Sequence, residues 1–177
     1  MKIAVLGTGT VGETIGSALI AKGHEVKMGS RTATNEKAAE WVSKSGANAS
    51  TGTFADAAAF GGIIINATKG ANSIDVLNSV GAASLNGKIL IDVANPLDFS
   101  KGMPPSLIPS LSNTNSLGEE IQKTFPEVKV VKTLNTMWCG LMVNPTMIGG
   151  GDHINYLCGN DTDAKTEVKK FLINNFG

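Results

Sequence analysis

The turn Gly7-Thr8-Gly9-Thr10-Val11-Gly12 constrains the fold of this chain more than any other stretch. It follows an apolar run, Ile3-Ala4-Val5-Leu6, and leads into apolar residues at helical spacing, Val11, Ile15, Ala18 and Leu19. Strand, glycine turn and helix in that order give a G-x-G-x-x-G match its meaning. Gly7 permits the tight turn, Gly9 lets the backbone approach a pyrophosphate, and Gly12 lets the helix pack close to the strand. The helix start then offers unpaired N–H groups and a positive dipole end to phosphates. A glycine-rich turn with a purely structural job is the competing explanation. The strand–turn–helix context at the N-terminus favours dinucleotide binding.

Composition narrows the class. The 177 residues suit one domain with a proper core, and 42% hydrophobic with 17% charged residues reads as an ordinary globular protein. Lys plus Arg and Asp plus Glu both number 15, which leaves no electrostatic footprint for nucleic acid or an anionic membrane. No apolar run approaches a membrane span. Glycines and Glu13 interrupt the first residues, which therefore do not read as a signal peptide. Cys139 and Cys158 have no metal-type spacing. A cytoplasmic location is the default expectation.

Taken in order, the chain alternates strands and helices. Lys22-Gly23-His24 turns into a second strand, Glu25 to Met28, and a histidine in such a turn is expected to be structural. The strand ends in Gly29-Ser30-Arg31-Thr32, at the place where an NAD enzyme puts an acid against the ribose 2′-OH. No acid is present. Ser30 and Arg31 offer a hydroxyl and a guanidinium suited to a 2′-phosphate, with Thr32 as a further hydroxyl. A solvated surface arginine is the alternative.

Residues 34–45 read as a helix with Ala38, Ala39, Trp41 and Val42 toward the sheet. Residues 49–51 are at best a short strand, and Thr53 to Asp56 resembles a capping box. Ile63-Ile64-Ile65 has the unbroken apolar character of a strand buried on both faces. The loop after it holds Ala67, Thr68 and Lys69, which face the crevice where ligands bind in such sheets. Lys69 either touches a cofactor phosphate or ribose or stands free at the surface. A helix over 72–80 and a strand over 88–93 follow. The long, proline-containing segment 94–115 is expected to be a structureless loop walling the site. Ser116 caps a helix to Thr124, and Val128 to Val131 is the sixth strand. Leu134 to Trp138 leaves that strand's carboxyl end and is expected on the nicotinamide side of the crevice. Residues 144–153 read as a loop, Ile154 to Cys158 as a seventh strand, and Asp161 as the cap of a last helix with Ala164, Val168, Phe171 and Leu172 inward.

The expected fold is therefore α/β, a Rossmann-type doubly wound, mainly parallel sheet ordered 3-2-1-4-5-6, with the seventh strand beyond the sixth. No Ser-His-Asp set, paired carboxylates or metal cluster is visible, and no residue is assigned a catalytic role. His153 is expected to face solvent and Cys139 to be a small packing residue. Hydride transfer between two bound rings needs no protein acid or base, only correct stacking and exclusion of water.

The chain resembles the NADP oxidoreductases typified by the reductase that passes hydride between NADPH and an 8-hydroxy-5-deazaflavin (coenzyme F-420 type). The resemblance rests on the glycine turn, on Gly29-Ser30-Arg31-Thr32, on Asp92-Val93-Ala94-Asn95-Pro96-Leu97, on Lys132-Thr133-Leu134-Asn135-Thr136-Met137 and on Cys158-Gly159-Asn160-Asp161. It implies that Thr8 to Val11 cradle the pyrophosphate and that Ser30 and Arg31 grip the 2′-phosphate of NADP(H). It implies that Asn95, Pro96 and Leu97, with Asn135, Thr136, Met137 and Trp138, line the nicotinamide and acceptor pocket. Asn95, Asn135 and Met137 fall on the cofactor side; Pro96, Leu97, Thr136 and Trp138 fall on the side of a deazaflavin or flavin acceptor. A homodimer is also implied. The family pattern continues with a further strand and helix that help pair subunits, and the expected single domain, 1–177, ends before them. Two other readings compete: a catalytically silent NADP sensor, and the cofactor domain of an imine or hydroxyacid reductase.

Overall fold

The computed structural model describes residues 1–177. In chain order its strands and helices are β1 (Lys2–Leu6), α1 (Thr10–Ala21), β2 (Glu25–Ser30), α2 (Glu36–Ser45), β3 (Ala49–Thr53), α3 (Phe54–Phe60) and β4 (Ile63–Asn66). Then come α4 (Ser73–Val80), α5 (Ala82–Leu85), β5 (Ile89–Asp92), β6 (Leu97–Asp98), β7 (Ser106–Leu107), α6 (Leu117–Thr124), β8 (Lys129–Lys132), α7 (Cys139–Val143) and α8 (Thr162–Phe176). Six strands form one sheet in the order β3-β2-β1-β4-β5-β8, and every pairing in it is parallel. This is the doubly wound Rossmann-type order read from the sequence, with β8 as the sixth strand.

The sheet is buried on both faces because its strands are apolar at successive positions. Ile3, Val5, Ile63, Ile65, Ile89 and Ile91 pack on one side with Ile15, Leu19 and Trp41 of the first two helices and Val168 and Phe171 of α8. Ala4, Leu6, Ile64 and Leu90 pack on the other with Ala57, Leu77, Leu117 and Ile121. Gly16 lets the Trp41 ring come within 3.0 Å of where its Cβ would stand. The indole N–H then donates to Ser17 Oγ at 3.0 Å. Ala38 is buried with Trp41, but Ala39 is exposed rather than turned to the sheet. It lies about 100° round the helix from Ala38, off the apolar stripe.

Three other segments differ from expectation. The stretch 94–115 is not structureless: β6 and β7 form an antiparallel hairpin, Leu97 opposite Leu107, and Pro109–Leu111 is a short 3-10 turn. Two-residue strands carry no period to read in the sequence. Residues 154–158 form no strand, only one antiparallel bridge, Lys132 with Cys158. Beyond that bridge Gly159 lies so close to β8 that a Cβ there would be 2.5 Å from the Val130 carbonyl oxygen, and the pairing extends no further. The loop 144–153 contains two 3-10 turns, Pro145–Met147 and Gly149–Gly151.

His24 is structural, as expected of its turn. The Met1 ammonium lies 3.2 Å from Nδ1, and Nε2–H donates to Asn175 Oδ1 at 2.6 Å, tying the N-terminus to α8. Helix starts are capped as read: Thr53 and Asp56 form a reciprocal capping box, and Asp161 accepts from the Ala164 N–H at 2.7 Å. Both carboxyls are held below the ordinary aspartate value. For Asp56 the Thr53 hydroxyl is the main cause; for Asp161 it is the Ala164 N–H, with Lys129 adding charge. A lowered folded value means that the unfolded chain binds protons first as pH falls. The stabilisation is therefore complete above about pH 5 and lost progressively as pH falls through the unfolded and then the folded value. Urea midpoints of the parent should fall between about pH 5 and pH 3. In Asp161→Asn, which keeps a capping oxygen but does not titrate, the fall should be smaller. Equal slopes would show that Asp161 contributes nothing to acid sensitivity.

Candidate functional site

Five loops leave the carboxyl ends of β2, β1, β4, β5 and β8, and specific close contacts join each to the next. At β1, Gly7 has φ 118°, in the left-handed region that glycine tolerates. Its N–H donates to the Gly29 carbonyl at 3.0 Å, and a Cβ on it would lie 2.6 Å from the Ala67 carbonyl oxygen. A Cβ at Gly12 would lie 2.2 Å from the Gly7 oxygen, so helix α1 rises directly against the turn. Gly9 is different. It is the N-cap of α1, no side chain caps the helix, and a Cβ there would meet nothing within 4 Å. The N–H groups of Thr10, Val11 and Gly12 have no intrahelical acceptor, because the first return bond is Glu13 N–H to Gly9 at 3.0 Å. An open glycine over a row of free donors at a positive helix end fits a pyrophosphate. Thr8 is half-buried and Thr10 exposed on the rim.

At the end of β2 the three candidates separate. Ser30 is buried and its hydroxyl donates to the Thr32 carbonyl at 2.5 Å, so it shapes the turn. Arg31 and Thr32 are exposed, and the Arg31 guanidinium makes no hydrogen bond or ion pair with the protein. Arg31 is thus a free cation at the end of the strand beside the glycine turn.

At the end of β4, Thr68 points inward. Its hydroxyl donates to Asn66 Oδ1 at 2.7 Å and lies 2.9 Å from Ser73 Oγ. Ala67 is half-buried against the Gly7 turn and Lys69 is exposed. Gly70 presses this loop onto the next, since a Cβ there would be 2.3 Å from the Asn95 carbonyl oxygen.

The ends of β5 and β8 carry a buried polar set that sequence reasoning missed. Asn66, Asp92 and Lys132 stand side by side in register across β4, β5 and β8. Asp92 is fully buried; its Oδ1 accepts from Asn66 Nδ2 at 2.8 Å and its Oδ2 from Lys132 Nζ at 2.9 Å. Lys132 also donates to the Ala94 carbonyl. The available signal was that all three terminate apolar strands on one side of the sheet. Beyond them, Asn95 Nδ2 donates to the Asn135 carbonyl at 2.7 Å, and Asn135 Nδ2 donates back to Asn95 Oδ1 at 3.1 Å. Leu134, with φ 61°, makes the sharp exit from β8 that brings Asn135 there. A left-handed leucine is costly and is held by its surroundings.

Behind this clasp lies a cavity of about 560 Å³ with Asn95, Pro96, Asn135 and Thr136 on one wall and Leu107 of the hairpin on another. Of the remaining candidates, Leu97 is half-buried in β6, and Met137 is half-buried against the core. Trp138 is 67% exposed and lays its ring over Gly140, where a Cβ would be 2.3 Å from it. Cys139 is a packing residue in the core and His153 is exposed.

A parallel doubly wound sheet with an open glycine turn, and a cavity two strands away, defines a nucleotide-binding fold of the Rossmann type. The family described as NADP oxidoreductase, coenzyme F420-dependent, matches residues 2–96. A crystal structure from Arthrobacter sp. FB24, described as an F420-dependent NADP-reductase, is 52% identical with a TM-score of 0.91, covering 98% of this chain and 80% of that one. A hypothetical protein from Sinorhizobium meliloti is 22% identical with a TM-score of 0.78, covering 99% and 82%. An imine reductase from Bacillus cereus, 20% identical with a TM-score of 0.66, covers 97% of this chain and 51% of its own; these last two show the fold alone. Comparison with curated proteins gives no match. The chain belongs to the family of coenzyme F420-dependent NADP oxidoreductases, which is a family of NADP-dependent enzymes.

The two glycines of the turn should separate fold from binding. Gly9→Ala meets open space in extended backbone (φ −90°, ψ 176°), so its melting temperature should match the parent while NADPH affinity falls by about tenfold or more. Gly12→Ala drives a methyl into the Gly7 carbonyl and should lose roughly 1–3 kcal/mol of stability. If Gly9→Ala binds NADPH like the parent, the turn does not hold the pyrophosphate.

Proposed function

We propose that the protein transfers hydride between NADP(H) and a deazaflavin or flavin-like acceptor held against the loops after β5 and β8. The observation that carries this reading is the direct contact of successive strand-end loops, from the open Gly9 turn to the cavity beside Asn95 and Asn135. NADP(H) supplies the hydride; the protein binds, orients and excludes water. Gly9 and the free N–H groups of residues 10–12 hold the pyrophosphate. Ala67, Thr68 and Lys69 border the path toward the nicotinamide, and Asn95, Asn135 and Met137 orient it. Pro96, Leu97, Thr136 and Trp138 face the acceptor.

Arg31 makes the choice of cofactor. Ser30 and Thr32 set the turn that presents it, and the Ser30 hydroxyl must leave the Thr32 carbonyl to reach a phosphate. No acid stands at this place to repel a 2′-phosphate. The reading also includes a cytoplasmic setting and a homodimer, whose pairing surface would draw on the exposed Ile148, Ile154 and Tyr156. No helix is long and apolar enough to cross a membrane.

Two measurements test this function. The parent should prefer NADPH over NADH by roughly ten- to a hundredfold, the worth of one charge-assisted hydrogen bond of about 1.5–3 kcal/mol. Arg31→Ala should lose most of that preference with NADH affinity nearly unchanged. Equal binding of both cofactors by the parent defeats the assignment. For the acceptor side, Trp138→Ala should slow NADPH oxidation by a flavin or deazaflavin while leaving NADPH affinity intact. Parallel loss of both would make residue 138 structural only.

A further inference from the structure

Lys132 is the only cationic residue on the wall of the cavity, and its chemistry is not used up by the fold. An ammonium group has three N–H donors. One goes to Asp92 Oδ2 at 2.9 Å and one to the Ala94 carbonyl, and no protein atom takes the third. The side chain is 20% exposed, whereas that of Asp92 is fully buried. Asp92 is itself fixed from behind by Asn66 Nδ2 at 2.8 Å and by the Ala94 N–H at 3.2 Å. The arrangement is a charged donor held on a rigid carboxylate with one N–H left over at a cavity. Asn95 and Asn135, which line the same cavity, hydrogen-bond each other.

We propose that Lys132 donates its third hydrogen bond to the hydride acceptor, at a carbonyl oxygen conjugated with the ring atom that takes the hydride. This inference deepens the acceptor reading above and rests on it. Hydride leaves NADPH, which becomes NADP⁺, and a bond from hydrogen to the acceptor ring forms, C–H at C5 of a deazaflavin or N–H at N5 of a flavin. The displaced π-electron pair moves through the conjugated system onto the carbonyl oxygen, which becomes anionic. The Lys132 proton stays on nitrogen and the hydrogen bond strengthens as charge develops, the condition under which a donor lowers a barrier. Asp92 keeps the ammonium placed, so it is a positioning residue. The substrate class follows: planar acceptors with a carbonyl conjugated to the hydride-accepting position, such as flavin, deazaflavin or quinone rings.

Lys132→Met alone leaves a buried carboxylate without its cation, so the pair is replaced together as Asp92→Asn with Lys132→Met. The parent, this double variant and Lys132→Arg are compared for melting temperature, NADPH dissociation constant, FMN dissociation constant by fluorescence quenching, and single-turnover oxidation of NADPH by FMN and by menadione. The double variant should stay folded and bind NADPH within about twofold of the parent. Its FMN affinity should fall by about tenfold and its hydride transfer to both acceptors by about a hundredfold, the range of one charge-assisted hydrogen bond. Lys132→Arg, which keeps a donor, should recover part of both.

A folded double variant with parental FMN affinity and transfer rates overturns the inference, leaving the pair structural. Loss of NADPH affinity in step with transfer also overturns it. Either outcome leaves the acceptor reading standing. A parent that neither binds FMN nor oxidises NADPH with either acceptor overturns both. If the double variant unfolds, Lys132→Arg decides: an altered acceptor KM with unchanged NADPH KM supports the inference, and an unchanged acceptor KM defeats it.

Discussion

A carboxylate with no exposed surface ends the β5 strand, and the carboxyl edge of the sheet depends on how it is satisfied. Ionised Asp92 would be prohibitively costly there without partners. It has four: Asn66, the Ala94 N–H and Lys132 directly, and Ser73 through Asn66 Nδ2 at 3.0 Å. These partners come from β4, β8 and the start of α4, so the network welds three loop origins into one unit. No buried side-chain polar atom is left without a hydrogen-bond partner. Replacing one member breaks several bonds at once, as expected of a polar network in a low-dielectric interior.

The unit is extended toward the nucleotide end by backbone proximity rather than by side chains. Gly70 fits against the Asn95 carbonyl, Gly7 against that of Ala67, and Gly12 against Gly7 itself. At each of these a methyl group would overlap a carbonyl group, so spacing between loops is set by van der Waals contact. The site is therefore pre-organised from the glycine turn to the Asn95–Asn135 clasp. Its two extremes are exposed: Arg31 follows β2, and Trp138 follows β8 with its ring over Gly140.

What the sequence made legible was local. The glycine turn between an apolar run and a helical period, the capping residues Thr53, Ser116 and Asp161, and the apolar strands all announce themselves within a few residues. Strand order then follows from right-handed crossovers. What stayed hidden was either very short or far apart in sequence. The β6–β7 hairpin has two residues per strand, and α7 spans five. Asp92 and Lys132 are 40 residues apart, and nothing near either one signals the other. Ser30 was legible as a hydroxyl in the right place, but its bond to the Thr32 carbonyl depends on a backbone turn that residue type does not specify.

The division between fixed and free polar groups gives the site its direction. Thr68, Ser73, Asn66, Asp92, Asn95 and Asn135 all pair with protein atoms and set shape. Among the groups left with capacity to bind are the first-turn N–H groups of α1, the Arg31 guanidinium, Lys69, and one donor of Lys132. All of these are donors, and three of the four carry a full positive charge. A chain with no net charge thus places these donors along the carboxyl edge of its sheet. Such an edge suits a ligand with negative charge at its phosphates and, on the opposite side of the crevice, negative charge that develops during reaction. Binding and chemistry would then draw on the same device, backbone and side-chain donors fixed before the ligands arrive.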